Sequence, residues 1–422
     1  MSPIDVIYEG ESGRWVVARV ARRGTQTFTE YTDEHIATGA DLSPVRHPLH
    51  DRGRRFDGAD SDHLPGMLAD AIPDSWGLSV LRRDMGQHGI EGPDPLQMLT
   101  WLGRRTMGAL TFRPVEGPEL SDVTFVDLDR IQSEALNHLA GQDTSDPAAA
   151  ALANVAGASA GGARPKIAAA FTTDGELVPD SGDLPPGAVP WLVKFHSPGD
   201  SEFLSTIEAT YLQMASRAGV TVCDHQLIDA PSGARYLAVR RFDRIAVPDG
   251  QPRRIHMATA AGLLEAYPER GQHLSYVDII RLTRQVTGDS RDITELVRRA
   301  VFNVVAHNRD DHARNTSYLW TPTGEWRLAP AYDLTLSMGP RPVFNAASVG
   351  EHYLDVAGKG TDITRQDLHR LHKAAGLKEA EVSDMIDAAL AATEQWPELA
   401  IANGVDAEIV SRTELLLPAL KA

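Results

Sequence analysis

The most informative stretch of this chain is His307-Asn308-Arg309-Asp310-Asp311-His312-Ala313-Arg314-Asn315. It follows a segment whose apolar residues recur at helical spacing and therefore share one face. These residues are Ile293, Leu296, Val297, Ala300, Val301 and Val304. A dense run of polar side chains directly after a buried helix indicates a functional site. The alternative is a structural one, because Asp and Asn also cap helices and form turns.

The spacing within this stretch is typical of a particular chemistry. Asn315 lies five residues after Asp310, as in the catalytic loop of protein kinases, where the aspartate accepts the substrate hydroxyl proton and the asparagine holds magnesium. Two strand-like segments, 317–320 and 326–328, then return the chain to the loop at Asp333. Since Mg²⁺ prefers hard oxygen ligands, Asp333 is predicted to share the ion with Asn315.

A lysine in an apolar strand gives a second indication. Lys194 lies in the segment 191–195, where an inward-facing ammonium needs a partner. Glu208, early in the next predicted helix, is the expected partner, and in kinases such a pair positions the α- and β-phosphates of ATP. Two alternatives stay open: Lys194 faces water at a sheet edge, or Glu208 completes a helix capping box that begins at Ser205.

The segment 159–166 combines small residues with a lysine just before a predicted strand. Small side chains let backbone amides approach phosphate, and Lys166 adds charge. The segment lacks the second glycine and the hydroxyl residue of a Walker loop. In a rival interpretation, Ser159 is the nucleophile of a serine hydrolase, because residues 157–161 match G-x-S-x-G. That motif needs a strand before it and a helix after it, which the sequence does not indicate.

The two histidines of the polar stretch offer a transition-metal site as another alternative. His307 and His312 are five residues apart, a spacing that fits no common helical zinc motif. We expect His312 to brace the loop by hydrogen bonding and His307 to interact with the dipole at the helix end.

Composition narrows the classes of function. The chain has 422 residues and a formal net charge of −17, which argues against non-specific nucleic-acid binding and favours a basic partner or a protein substrate. Its single cysteine, Cys223, excludes an intrachain disulfide framework and is expected to be a small core residue. The sequence contains no long apolar run and no leader-like start, so a cytoplasmic protein is expected.

Together these stretches resemble the HipA family of toxin kinases, in the same order along most of the chain. Two N-terminal segments, Ala71-Ile72-Pro73-Asp74-Ser75-Trp76-Gly77 and Leu102-Gly103-Arg104-Arg105-Thr106-Met107-Gly108-Ala109-Leu110, look like signatures of that family. The later matches are residues 162–166, Val193-Lys194, Glu208, residues 238–244, the Asp310 loop and residues 330–333.

The resemblance implies an α+β, two-lobed protein-kinase-like fold with a small β-rich N-terminal subdomain and a mainly helical C-terminal lobe. The expected boundaries are 1–115 for the subdomain, 116–245 for an N-lobe with the phosphate loop and hinge, and 246–422 for the helical lobe with the catalytic loop. Residues 144–163 are expected to form a mobile connector because they are rich in alanine, glycine and serine.

The resemblance also implies roles for individual residues. Asp310 is the general base, Asn315 and Asp333 ligate Mg²⁺, and Lys194 contacts the ATP phosphates. Ser159 falls at the autophosphorylated position. The other expected nucleotide-binding residues are Gly161, Gly162, Ala163, Arg164 and Lys166 in the phosphate loop, Arg240, Arg241 and Phe242 through backbone groups at the adenine, and Glu208 and His312.

Three departures from the family pattern concern Arg164-Pro165, Arg240 and Asp311, and they bear on loop dynamics, nucleotide affinity and substrate approach.

The implied substrate is an aminoacyl-tRNA synthetase, and the implied partner is a basic helix-turn-helix antitoxin that contacts DNA. Two other classes stay open. One is a nucleotide-binding pseudokinase acting as an antitoxin-dependent corepressor, and the other is an unrelated scaffold.

Overall fold

The first sheet is built from strands in which buried and exposed residues alternate, as in Gln26–Tyr31. The computed structural model describes residues 3–57, 64–73, 75–117, 126–142, 164–180, 184–267, 273–337, 350–418 and 420. The strand order is β4-β3-β2-β1-β5, and neighbouring strands are antiparallel. The strands are β1 Ile4–Gly10, β2 Gly13–Arg23, β3 Gln26–Tyr31, β4 Gly53–Asp57 and β5 Leu110–Arg113.

Four helices accompany this sheet in the N-terminal unit, α1 Asp33–Thr38, α2 Gly66–Ala69, α3 Ser75–Gln87 and α4 Pro95–Leu102. The start of α4 is fixed by a capping box, in which Asp94 accepts from the Gln97 amide and the Gln97 side chain accepts from the Asp94 amide. The sequence predicts one helix over 64–81, but the structure divides it. Pro73 explains the break, because proline has no amide hydrogen and disfavours helical geometry in the residue before it.

The second sheet is antiparallel and has the order β7-β6-β8-β10-β9. Helices cover both of its faces, as the alternation within β10 shows. Tyr236 and Ala238 join the core that includes Ile131 of α5, whereas Leu237 and Val239 join the core of α6. The elements are α5 Leu128–Leu139, β6 Lys166–Phe171, β7 Leu177–Pro179, β8 Val189–Lys194, α6 Leu204–Arg217, β9 His225–Asp229 and β10 Arg235–Arg240.

The remainder of the chain packs around a buried helix, α9, whose apolar face matches the one predicted from the sequence. It contacts α8 before it and α12 near the C-terminus. The helices are α7 Ala260–Leu264, α8 Tyr276–Thr287, α9 Ser290–Val305, α10 Arg365–His369, α11 Leu371–Ala375, α12 Glu379–Thr393, α13 Trp396–Ala402 and α14 Ala407–Glu414.

Short strands interrupt this helical region, which is therefore more mixed than the sequence suggests. Two of them, β15 and β16, have the bounds predicted from the sequence. The strands are β11 Arg244–Ile245, β12 Arg253–Arg254, β13 His256–Thr259, β14 Leu274–Ser275, β15 Ser317–Trp320, β16 Trp326–Leu328 and β17 Leu354–Asp355. A mixed fold with a β-rich N-terminal region is thus confirmed, while the connector expected over 144–163 lies outside the described residues.

The N-terminal unit and the helical region meet closely where α2 crosses α7. A Cβ atom on Gly66 would lie 1.8 Å from the carbonyl oxygen of Gly262, so only glycine fits at this contact. By contrast, a Cβ atom on Gly86, within α3, would meet nothing within 4 Å.

We predict opposite effects of alanine at these two glycines. Gly66→Ala forces two backbones apart and lowers the free energy of unfolding by about 1–3 kcal/mol. Gly86→Ala raises it by about 0.5–1 kcal/mol, because alanine is the better helix former. Urea unfolding followed by circular dichroism measures both values. Equal stability of the two variants would contradict the close contact.

Candidate active site

Lys194 is the last residue of β8 and lies between two neighbouring strands, opposite Lys166 of β6 on one side and Leu237 of β10 on the other. Its ammonium donates hydrogen bonds to the carboxylates of Glu208 on α6 and of Asp333. The side chain is only 14% exposed, and two carboxylates offset the cost of taking its charge out of water. Lys194 therefore faces inward rather than towards water at a sheet edge.

The position of Glu208 decides between the two interpretations of its role. Helix α6 begins at Leu204, its N-cap is Phe203, and no side chain caps it. Ser205, the expected first residue of the capping box, lies instead 3.1 Å from the His196 ring through its hydroxyl oxygen. Glu208 is buried and its carboxylate accepts from Lys194, so the arrangement is an ion pair and not a capping box.

Lys194, Glu208 and Asp333 form a cluster in which each side chain affects the charge of the others. Burial alone would raise the pKa of Asp333, but Lys194 and then Lys166 outweigh it and hold that pKa well below its ordinary value. Burial also opposes the charge on Lys194, whereas Asp333 and Glu208 raise the lysine's pKa above its ordinary value. For Glu208, burial is the largest effect and raises the pKa. Asp333 is consequently the carboxylate that stays ionised most firmly.

The catalytic-loop candidates lie next to this cluster. The Asn315 side-chain amide donates to the backbone carbonyl of Asp310 at 2.8 Å, which turns its oxygen away from the loop backbone. That oxygen is buried and accepts no hydrogen bond from the described residues. The side chain of Asp310 is 45% exposed, and its pKa is raised by partial burial, opposed by His312 and reinforced by Asp333. Asp310 can thus reach a substrate while Asn315 offers an inward oxygen.

Asp333 is held in place by the residues just before it. The Ala331 amide donates to Thr221 O at 2.8 Å, and Ala331 O accepts from the Cys223 amide at 2.9 Å. The Tyr332 hydroxyl donates to Arg314 O at 2.7 Å, next to Asn315. Asp333 itself has a φ of 57°, a left-handed conformation that is uncommon outside glycine. Such a conformation persists where the surrounding bonds determine it, and here it presents the carboxylate to Lys194.

Asp311 has a role that sequence reasoning missed. It was singled out as a departure that alters substrate approach, but its carboxylate is buried behind the loop. It accepts hydrogen bonds from the Tyr276 hydroxyl at 2.6 Å, from His352 Nδ1 at 2.8 Å and from the Tyr353 amide at 2.8 Å. Asp311 therefore anchors the loop that carries Asp310 to α8 and to residues 352–353. No local signal identifies a partner 41 residues away.

The oxygen atoms of Asn315 and Asp333 suit Mg²⁺, which binds through one or two protein oxygens and retains several waters. A buried amide oxygen without a donor is the feature that such an ion would satisfy. Within the described ranges, no group of three or more His, Cys, Asp or Glu side chains is placed to hold a metal ion.

The histidines differ from expectation. His312 Nε2 lies 3.7 Å from the nearest Asp310 carboxylate oxygen, too far for a hydrogen bond, so it affects Asp310 through charge. Burial, followed by the nearby Arg309, lowers the pKa of His307 to about 4. A neutral imidazole does not interact favourably with the helix dipole as a cation would. Cys223 is buried, and burial raises its pKa to about 12, as expected for a core thiol.

Several expected nucleotide-binding residues have other partners. Arg164 pairs with Asp200 at 3.2 Å, and Arg240 pairs with Asp224 at 3.0 Å. The Arg241 side chain is buried in ion pairs away from Lys194, and its amide donates to Pro190 O at 3.0 Å. The amide of Arg241 is thus engaged, and the lining of an adenine pocket by backbone groups of residues 240–242 stays a prediction. Ser159, Gly161, Gly162 and Ala163 lie outside the described residues.

Of the residues expected at the hinge, Phe242 packs next to the site. Its ring centroid lies 5.4 Å from that of Tyr332, the residue before Asp333. A Lys–Glu pair between a strand and a helix, with an Asp and an Asn contributed from the other side, is the arrangement of kinase-like folds. The two-lobed kinase-like architecture expected from the sequence is therefore present.

The family follows from comparison with known proteins. Residues 158–396 match the HipA-like C-terminal domain, and residues 8–113 match the HipA N-terminal domain. The chain belongs to the HipA family. Its fold is shared with HipA of Shewanella oneidensis, solved as a complex of HipA, HipB and operator DNA, at a TM-score of 0.70 and 18% identity. That superposition covers 98% of this chain and 96% of the other.

Curated relatives include candidate kinases. Two are from Sinorhizobium fredii: Y4mE is 32% identical over 168 residues, which is 38% of each chain, and Y4dM is 24% identical over 337 residues, 76% of this chain and 73% of the relative. A third, from Haemophilus influenzae, is 26% identical over 163 residues, 36% of this chain and 46% of the relative. In the part of the chain that the structure describes, no helix combines the length and apolarity needed to cross a membrane.

We predict that the two adjacent aspartates of the catalytic loop differ sharply in their effect on stability. Asp311→Ala leaves the buried donors of Tyr276 and His352 without an acceptor and lowers the free energy of unfolding by about 3 kcal/mol or more. Asp310→Ala removes the same charge from a half-exposed position and changes stability by less than about 0.5 kcal/mol. Urea denaturation of both variants tests this; a similar loss in both would contradict the anchoring role.

Proposed function

We propose that this chain is an ATP- and Mg²⁺-dependent serine/threonine protein kinase that acts as the toxin of a toxin–antitoxin module in the cytoplasm. The observation that carries the proposal is the position of Lys194, whose ammonium contacts both Glu208 and Asp333 beside the unpartnered oxygen of Asn315. Phosphoryl transfer requires little covalent chemistry from the protein, so positioning and charge neutralisation are what a site must supply.

Each residue has a distinct task in this proposal. Asn315 and Asp333 hold Mg²⁺, which, when bound, neutralises charge on the phosphates. Glu208 holds Lys194 in place, and the Lys194 ammonium contacts the α- and β-phosphates. Asp310 accepts a hydrogen bond from a serine or threonine hydroxyl and orients it for attack; its raised pKa brings it nearer to the range of a useful base.

The proposed partners follow from the family and from charge. The HipA that shares this fold was solved with HipB and operator DNA. A net charge of −17 favours a basic protein over direct contact with nucleic acid. We propose a HipB-like helix-turn-helix antitoxin, through which the complex reaches DNA, and an aminoacyl-tRNA synthetase as the phosphorylated substrate. Autophosphorylation at Ser159 would add negative charge to the phosphate loop and lower its affinity for ATP.

We predict that Asp310→Ala separates catalysis from nucleotide binding. After incubation with ATP and Mg²⁺, the parent gains a phosphate that maps to Ser159, and the rate for Asp310→Ala falls by about 10²- to 10⁴-fold. Both proteins should show the same rise in melting temperature with ATP and Mg²⁺, because Asp310 is not proposed to bind the nucleotide. Intact mass and thermal shift are the two measurements.

A matched control for this experiment is Asp384→Ala, which removes an exposed aspartate of α12 and should leave the phosphate gain unchanged. ATP-dependent stabilisation without phosphate transfer to this chain, to an antitoxin or to a synthetase would favour the pseudokinase corepressor. Hydrolysis of an ester substrate that is lost in Ser159→Ala would favour the serine hydrolase.

We predict that Asn315→Ala acts through the metal requirement. The variant loses the unpartnered oxygen, so the Mg²⁺ concentration that gives half-maximal phosphate transfer should rise by at least about tenfold. Phosphate transfer is titrated with Mg²⁺ at constant free ATP. An unchanged Mg²⁺ dependence would remove Asn315 from the proposed ligand set.

A further inference from the structure

A second cavity lies where the N-terminal unit meets the second sheet, and its volume is about 70 Å³. One wall is the segment 104–106, which leads into β5, and the other walls come from Pro190 of β8, Arg241, and the β11–β12 hairpin. Pro190 is four residues from Lys194 along the strand, a distance of roughly 13 Å at about 3.3 Å per residue. The cavity is therefore separate from the candidate active site.

Two carboxylates in this region are already neutralised. Asp243 is fully buried and accepts from Arg241 at 2.8 Å, from Arg244 at 2.6 Å and from the Gly108 amide at 2.7 Å. Arg241 also reaches Asp180 at 3.0 Å. Two guanidinium groups and two carboxylates thus pair with one another at close range.

Arg254 contributes another guanidinium to the wall of this cavity. It donates to two backbone carbonyls, Arg104 O at 2.6 Å and Thr106 O at 2.9 Å, and forms no ion pair with any described residue. Burial, and after it Arg244 and Arg241, hold the pKa of Arg254 well below its ordinary value. Burial and Arg241 likewise lower the pKa of Arg244 to about 10. The cavity wall therefore has an excess of positive charge.

We propose that this cavity binds a phosphate-type oxyanion, with Arg254 as its principal ligand. A partly buried guanidinium without a carboxylate is stabilised by an anion, and the planar fork of arginine matches the oxygens of phosphate. The volume admits a small tetrahedral ion, since one water needs about 10–15 Å³. It is far below the roughly 300–1,000 Å³ of sites for larger organic ligands, so a nucleotide does not fit.

The bound oxyanion connects two units of the protein. Arg254 lies on β12, its carbonyl partners belong to the N-terminal unit, and Arg241 follows the last strand of the second sheet. An anion in contact with these groups offsets their mutual repulsion and stabilises the junction. The inference does not depend on the proposed kinase activity, because none of these groups is assigned a catalytic role.

The proposal is tested by isothermal titration of the full chain with inorganic phosphate. We expect one site with Kd below about 1 mM in the parent, at least about tenfold weaker binding in Arg254→Gln, and unchanged binding in Arg253→Gln. Arg253 is the matched control, because it is the neighbouring arginine on β12 but is 54% exposed and pairs with Glu11. Saturating ATP and Mg²⁺ should leave phosphate binding to the parent unchanged, because the cavity is separate from the candidate active site.

Two results would overturn the proposal. One is no binding below about 10 mM in the parent. The other is binding that ATP and Mg²⁺ displace and Arg254→Gln retains, which would place phosphate at the nucleotide site. If Arg254→Gln does not fold, Arg254→Lys, which keeps the charge but loses the planar fork, should also weaken binding. The ³¹P line broadening of inorganic phosphate by the parent and by Arg253→Gln is an independent readout.

A second ligand identifies the source of the oxyanion. Phosphoserine as the free amino acid is titrated into the same proteins. Binding of inorganic phosphate alone supports a free ion in the cavity. Equal binding of phosphoserine, again weakened by Arg254→Gln, supports the same site with a phosphorylated side chain as its ligand.

Discussion

The ammonium of Lys194 is buried, so the protein itself must neutralise its charge. A charge removed from water is tolerated only where opposite charges meet it at close range. The two carboxylates that do so come from different places, Glu208 from α6 and Asp333 from the segment after β16. The second sheet, its covering helix and the helical region therefore meet at this one side chain.

The burial of Lys194 also explains the shape of the loop that carries Asp310 and Asn315. Asp333 reaches Lys194 only because β15 and β16 form a short hairpin that reverses the chain, and because Ala331 is bonded to residues 221 and 223. Tyr332 then fixes the loop itself through Arg314 O. Asn315, held against Asp310 O, follows from that geometry. The positions of Asp333, Asp310 and Asn315 thus follow from how the protein neutralises the buried charge of Lys194.

Features set by neighbouring residues were predictable from the sequence. The helical spacing of apolar residues predicts the buried face of α9. The two strand-like segments after Asn315 predict the bounds of β15 and β16. Residues 205–208 show the limit of local reasoning. Their sequence permits either a capping box or an ion pair between Glu208 and Lys194, and only the position of Lys194 in the fold distinguishes the two. The burial of Asp311 and the pairing of Asp243 with Gly108, 135 residues away, depend on long-range contacts that no local pattern contains.

The N-terminal unit is part of the same folded body as the kinase-like lobes, and the contacts show why. Asp70 accepts hydrogen bonds from the Thr259 amide at 2.7 Å and from its hydroxyl at 2.8 Å, and Thr259 in turn caps α7. The first residue of α7 donates to Thr316 O at 2.7 Å, one residue beyond Asn315. Because these bonds form a continuous chain, displacing α2 strains the backbone that positions Asn315. The N-terminal unit is therefore joined by hydrogen bonds to the backbone next to Asn315.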